Sequence, residues 1–292
     1  MSYAENNAIT LASDEVDNTE ARNRAGGRLA LKAASVFWFL VFAAGQFAFF
    51  YYIMAFYGVS VATGDITIWN RLEAFGAQPY VPGDIKGNLA FGMHALGAGI
   101  VAFGGAFQLV PQIRKYAPVV HHVIGRAFLL TVVVLALSGY YLVWLRDDDP
   151  VELSGMSTSF NGILILSFAF LTLRYALVRN IDIHQRWAMR LVLVSNAQWF
   201  LRVGVIGYLA INSAFGRAPN FSDPFFLIWT FGSYLFPLFC LQVYFHARDH
   251  GGAATRWVVA LCLAVLTLLM GVGSAAYAIF SQTIISGAPL GF

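Results

Sequence analysis

The 292-residue chain is 59% hydrophobic and only 11% charged, with 26 Phe, 13 Tyr and 7 Trp. A soluble domain of this size carries more charge than that, so the solvent is lipid. The formal net charge of +3 is too small to recruit nucleic acid. Cys240 and Cys262 both fall in apolar stretches, which leaves no disulfide framework and no thiolate metal site.

Residues 1–32 are polar: Glu5, Asp14, Glu15, Asp17 and Glu20 precede Arg22, Arg24, Arg28 and Lys32. This stretch reads as a flexible cytoplasmic tail ending in a basic collar. It has no short apolar core followed by a small-residue cleavage site, so no removable signal peptide is expected. Seven apolar stretches follow, drawn at Ala33–Tyr57, Asn88–Val110, Val119–Leu145, Met156–Val178, Arg186–Ile211, Pro224–Phe245 and Arg256–Ser281. Each is about long enough to cross a bilayer. The expectation is an all-α polytopic membrane helical bundle of about seven transmembrane helices, a single domain over 33–281, with 282–292 as a short outer tail. The longest connection, Gly58–Gly87, carries Trp69, Pro79, Tyr80 and Pro82 and reads as a lid or a surface helix. Pro237 is expected to kink the sixth span.

The cations sort by connection. Four lie in the tail, three around Arg114–Arg126, four around Arg174–Arg190, and Arg248 and Arg256 follow, thirteen in all on the side of the N-terminus. The other side holds Arg71, Lys86, Arg146 and Arg217, while Arg202 lies within a span. This bias implies a cytoplasmic N-terminus, an outer C-terminus and a bacterial inner membrane. Asp147, Asp148, Asp149 and Glu152 gather in one outer loop.

Polar residues that bear on chemistry lie in spans two to five. A helical wheel places His94, Val101, Gly105, Gln108 and Gln112 on one face, with Gly97 at its edge. Gly92, Gly97, Gly99, Gly104 and Gly105 would let a helix or a flat ligand approach closely. His121, His122 and Arg126 open the third span, and His184, Leu191, Ser195, Gln198 and Arg202 share a face of the fifth, with Arg186 and Arg190 at its inner end. By depth, His121, His122 and His184 lie near the inner boundary, and His94 and Arg202 in the outer half.

Two histidines from different helices are what b-type haem requires, with His121 and His184 as iron ligands and Arg126, Arg186 and Arg190 toward the propionates. The competing reading leaves these histidines bonded to water, backbone carbonyls or lipid phosphate. Arg202 has no carboxylate inside spans two to five to balance it, which implies an anionic ligand, a quinone oxygen, a propionate or a water cavity, unless it snorkels outward. His246 and His250 are expected at a solvated surface. Nucleotide-binding glycine loops, metalloprotease helices, nucleophile elbows and paired carboxylates within the spans are missing from the sequence.

The segment from Lys86 to Tyr208, with MHALGAGIVAFGGAFQLVPQIRKYAPVVHHVIGR and then DIHQRWAMRLVLVSNAQWFLR, resembles the bacterial predicted membrane proteins grouped as domain of unknown function 2306. The resemblance covers roughly two fifths of the chain. It marks His94, Gln108, His121, Gly125, Arg126, His184, Trp187, Arg190 and Arg202. His122 stands where an arginine is expected, which leaves open which of His121 and His122 would be a ligand. The resemblance implies a multi-pass membrane fold and shared polar positions, and no reaction.

Two function classes follow. The first is haem or quinone binding with electron transfer to a membrane redox partner, through His121, His122, His184, Arg126, Arg190, His94, Gln108 and Arg202. The second is a non-enzymatic transporter or an assembly factor for a membrane complex. Between enzyme and non-enzyme the residues do not choose.

Overall fold

The computed structural model describes residues 3–75, 78–146, 151–217 and 223–288. The acidic run Asp147, Asp148 and Asp149 lies outside the described residues, as do the side chains of 1–19 and 72–77. The protein is about 90% helical, with no strand among the described residues. In chain order it comprises α1 (Tyr3–Ile53), a π turn (Met54–Gly58), α2 (Val59–Thr63), a 3-10 stretch (Ile66–Phe75), α3 (Ile85–Gln108), α4 (Pro111–Tyr116) and α5 (Pro118–Tyr141). A second π turn (Leu142–Arg146) leads to α6 (Leu153–Leu177), α7 (Ile181–Ser195), α8 (Ala197–Ala214), α9 (Pro224–His250) and α10 (Ala253–Ser286).

Six helices among the described residues are long and apolar enough to cross a membrane. The fifth drawn stretch is not one continuous helix: α7 and α8 are apolar and long enough only as a pair, and they meet at Asn196 with a bend of 52°. Helix α9, by contrast, continues through Pro237 as one helix. The polar stretch before Ala33 is helical from Tyr3 onward, in line with its Ala, Leu, Glu and Arg content.

Local sequence explains the helix starts. The Asp84 side chain accepts from Gly87 N at 2.8 Å and caps α3. Pro111 and Pro118 open α4 and α5, where a missing N–H costs nothing. Asn180 accepts from Ile183 N and caps α7, immediately after Arg179, which turns the chain at φ 57°.

The chain divides into two compact units. The first takes in the start of α1 with residues 239–269, and its core is Leu31, Ala34, Ala247 and Ala260. The second holds residues 42–238 and 270–292. In it α3 packs on α5, α5 on α6, and α6 on α7. Leu89, Leu130, Leu137, Ile163 and Phe170 leave large apolar side chains exposed on these spans, the faces that lipid covers.

The described residues of the connection from Gly58 to Gly87 pack against one end of the second unit. Trp69 is 2% exposed, donates from Nε1 to Ser60 Oγ at 2.7 Å and lies 5.3 Å from the Phe91 ring. Asn70 bonds both backbone groups of Tyr80, and Asn88 bonds both of Val81. Arg146 joins this connection to the end of α5: its Nε meets Asp84 Oδ2 at 2.9 Å, and Nη2 donates to Pro79 O and Asn88 Oδ1. Charge-assisted bonds in a half-buried setting contribute more than exposed pairs. Asp84→Ala, which removes both the cap and the ion pair, is expected to cost about 1–3 kcal/mol, read as a lower Tm in detergent. An unchanged Tm contradicts this role.

Candidate functional site: an intramembrane cavity at a helix break

The polar residues singled out above fall at two ends of α5. His121 and His122 lie in its first turns and Gly139 and Tyr140 at its far end, about 27 Å apart along a helix rising 1.5 Å per residue.

At the first end, Gln108 Nε2 donates to the His121 carbonyl at 3.1 Å, tying the last turn of α3 to α5. Gly125 leaves room for that amide: a Cβ there would sit 3.2 Å from Gln108 Oε1. The His121 and His122 rings lie 5.9 Å apart. His121 Nδ1 is buried without a hydrogen-bond partner, and His122 is exposed. His184 lies within electrostatic range of His121. Its Nδ1 is 2.9 Å from the Thr172 carbonyl, so Nδ1 carries the proton and Nε2 keeps a lone pair. Arg190 lies 4.7 Å over the Trp187 ring, whose other neighbour is Phe168 at 5.2 Å. Arg126 is exposed. No group of three or more His, Cys, Asp or Glu among the described residues is placed to hold a metal ion.

At the other end, His94 and Arg202 line one cavity of about 310 Å³ within the second unit. Its walls come from α1 (Phe49, Tyr52, Ile53), α3 (Phe91, Val101), α5 (Val132, Leu135, Tyr140), α6 (Asn161, Ile165) and the α7–α8 junction (Ser195, Asn196, Gln198, Trp199). This volume lies within the range of small-molecule pockets. None of the lining residues is Asp or Glu. Arg202 donates from Nη1 to Gln198 O at 3.0 Å and lies 5.9 Å from the Phe49 ring centroid. Tyr52, Tyr57 and Tyr277 lie within range of its charge. No carboxylate pairs with Arg202 among the described residues.

The break explains the cavity. At membrane depth a freed carbonyl needs a partner from the protein or from a wetted space. Asn161 Nδ2 reaches across from α6 to the Val194 carbonyl at 3.1 Å. Asn196 Nδ2 and Ser195 Oγ both donate to the Val192 carbonyl, at 2.8 and 3.2 Å. Three polar side chains thus hold the end of α7, without glycine or proline at the junction.

Ser138 Oγ lies 3.1 Å from Leu135 O and 3.0 Å from His94 Nδ1, so this hydroxyl ties the His94 ring of α3 to the backbone of α5. A Cβ at Gly139 would lie 3.5 Å from His94 Cε1, so the ring packs against bare backbone there.

Several expectations change. The face drawn from His184 through Ser195 to Arg202 is interrupted, because His184 sits on α7 and Arg202 on α8 beyond the bend. Gln112 lies on the separate helix α4 and is exposed, so it does not share the α3 face. The α3 glycines meet protein side chains: Gly92 faces Trp69, Gly97 faces Leu135, Gly99 faces Met54, and Gly104 and Gly105 face Phe128. They serve helix packing. His246 and His250 are exposed, with rings stacked 5.7 Å apart.

Asn161, Asn196, Ser138 and Tyr140 were not found from sequence; amides in the middle of apolar spans were the available signal. Gln46 in α1 is a further case. It is 0% exposed, and both side-chain amide atoms are without a partner. An unsatisfied buried amide destabilises by about 1–3 kcal/mol, so Gln46→Met is expected to raise Tm in detergent. A lower Tm would mean that the amide is held by a group such as bound water.

Residues 91–239, just over half of the chain, match the family described as Predicted membrane protein (DUF2306). No curated protein and no solved structure matches the chain.

Proposed function

For this chain, which belongs to the DUF2306 membrane-protein family, we propose that the cavity at the helix break binds a small lipophilic ring compound with an oxygen head group, of the quinone class. The observation that carries the reading is the pairing of an uncompensated guanidinium, Arg202, with His94 in one apolar cavity that has no lining carboxylate. A cation in an apolar lining is stabilised by a ligand oxygen bearing full or partial negative charge. The aromatic and aliphatic walls, Phe49, Phe91, Val132 and Ile165 among them, suit a flat apolar body. The excess of basic residues on the N-terminal side supports a cytoplasmic N-terminus and the bacterial inner membrane, where such a ligand is dissolved.

The same reading extends to electron transfer if a b-type haem sits at the other end of α5. His184 would be able to hold the iron, because the Thr172 carbonyl takes Nδ1–H and leaves Nε2 available in the neutral ring. His121 fits less well, since its Nδ1 has no acceptor to orient the ring. A haem there would supply one-electron chemistry, with His184 and His121 holding the iron. The bent α7–α8 span favours one competitor, a transporter of a small anion, because transporters place broken helices at their binding sites. An assembly factor has no such specific support.

Arg202→Leu is expected to weaken binding of a decyl-tailed benzoquinone to the nanodisc-embedded protein at least tenfold, about 1.4 kcal/mol, measured by equilibrium dialysis against empty nanodiscs. Parent-like binding would remove the quinone role; parallel dialysis with small anions tests the transporter. For the haem extension, the purified protein is expected to show a Soret band that shifts on dithionite and is lost in His184→Ala. A colourless folded protein overturns that extension alone.

A further inference from the structure

Within that reading, on which this inference rests, we propose that the cavity holds its ligand as an anion: it takes a ring compound with an ionised hydroxyl beside a ring carbonyl, the hydroxyquinone type, in preference to a neutral quinone. The argument is the charge and the donors of the cavity wall. Arg202 brings five N–H donors and a permanent positive charge. Among the described residues its guanidinium makes one hydrogen bond, to Gln198 O at 3.0 Å. Most of the fork is left for a ligand. The carbonyls freed at the α7–α8 break could have partnered it, but neutral side chains take them: Asn161 donates to Val194 O, and Asn196 and Ser195 to Val192 O.

The titratable groups within range of the guanidinium are His94 on α3, Tyr52 on α1, Tyr57 on the first π turn and Tyr277 on α10. Neutral tyrosines and a histidine supply no negative charge, and the lining holds no Asp or Glu. The rest of the polar lining adds hydrogens. The Gln198 amide and the Thr158 hydroxyl make no side-chain hydrogen bond among the described residues, and Ser159 Oγ, which accepts from Trp144 Nε1, has its own hydrogen to give. A neutral quinone accepts such hydrogens and leaves the charge uncompensated. An ionised ring hydroxyl accepts them and neutralises it, and with the neighbouring carbonyl it sets two oxygens on one edge, the pair that a planar guanidinium bonds together. An opposite charge within about 4–6 Å favours the ionised form of an acid by a factor of about ten to a thousand.

The test is equilibrium dialysis of the full chain in phosphatidylcholine nanodiscs at neutral pH. The probes are a naphthoquinone with a hydroxyl on the quinone ring, which is ionised there, and its methoxy counterpart, which cannot ionise. Empty nanodiscs give the blank, and decyl-tailed benzoquinone is run in parallel. The parent is expected to bind the hydroxyl compound at least tenfold more tightly than the methoxy compound. Arg202→Gln brings the two within about threefold of each other, while Arg202→Lys, which keeps the charge without the fork, retains at least half of the preference on a logarithmic scale. A preference below tenfold in the parent, or one that survives Arg202→Gln intact, overturns the inference; decyl-tailed benzoquinone that still binds in an Arg202-dependent manner then leaves the quinone reading standing. Binding of none of the three probes above the blank removes both.

Discussion

The bond from Asn161 to the Val194 carbonyl holds together everything proposed for this protein. In hydrocarbon a helix cannot simply stop, because carbonyls released from the i to i+4 ladder have no water to turn to. Here an amide from α6, together with Asn196 and Ser195, takes over those carbonyls. The chain can then bend by 52° and begin α8 in a new direction. The bend puts Arg202 and Gln198 on the wall of a space that α1, α3, α5 and α6 also line. Without it, the wheel would set Arg202 on one continuous face with His184.

The two polar ends of α5 differ in the condition of their groups. At the His121 end, Gln108, Gly125 and Thr172 are engaged in joining helices, and the basic residues are partly exposed or stacked on aromatics. At the cavity end, Tyr140, Asn161 and Ser195 each donate to a backbone carbonyl, and Arg202 lines the space with no carboxylate beside it among the described residues. Buried polar groups left without a partner are destabilising unless something pairs them. Such groups occur at both ends, His121 Nδ1 and Thr172 Oγ1 at one and Asn161 Oδ1 at the other; the cavity carries the functional reading because there a volume of about 310 Å³ is lined by both His94 and Arg202.

Much of the fold was legible because apolar length is a strong signal in lipid. The six long apolar helices and the bent α7–α8 pair coincide with the stretches drawn from composition. Association of His94 with Arg202 was also legible, since both are ionisable, deep and without a nearby carboxylate. The helix break was not, because Asn196 carries no glycine or proline to announce it and its stability depends on Asn161, distant in sequence. Pro237, by comparison, lies inside one helix that runs from Pro224 to His250. Sequence periodicity also could not tell glycines that admit a ligand from glycines that admit Trp69, Leu135 or Phe128, since only the packed neighbours decide it.

The most direct measurement is photoaffinity labelling of the protein in native membranes with an azido-benzoquinone, followed by peptide mapping of the adduct. The account predicts labelling concentrated on peptides that contain Thr158–Ile165 and Ser195–Arg202, competed by unmodified quinone. Labelling spread evenly over the lipid-facing helices, or confined to the His121 and His184 end, would contradict it.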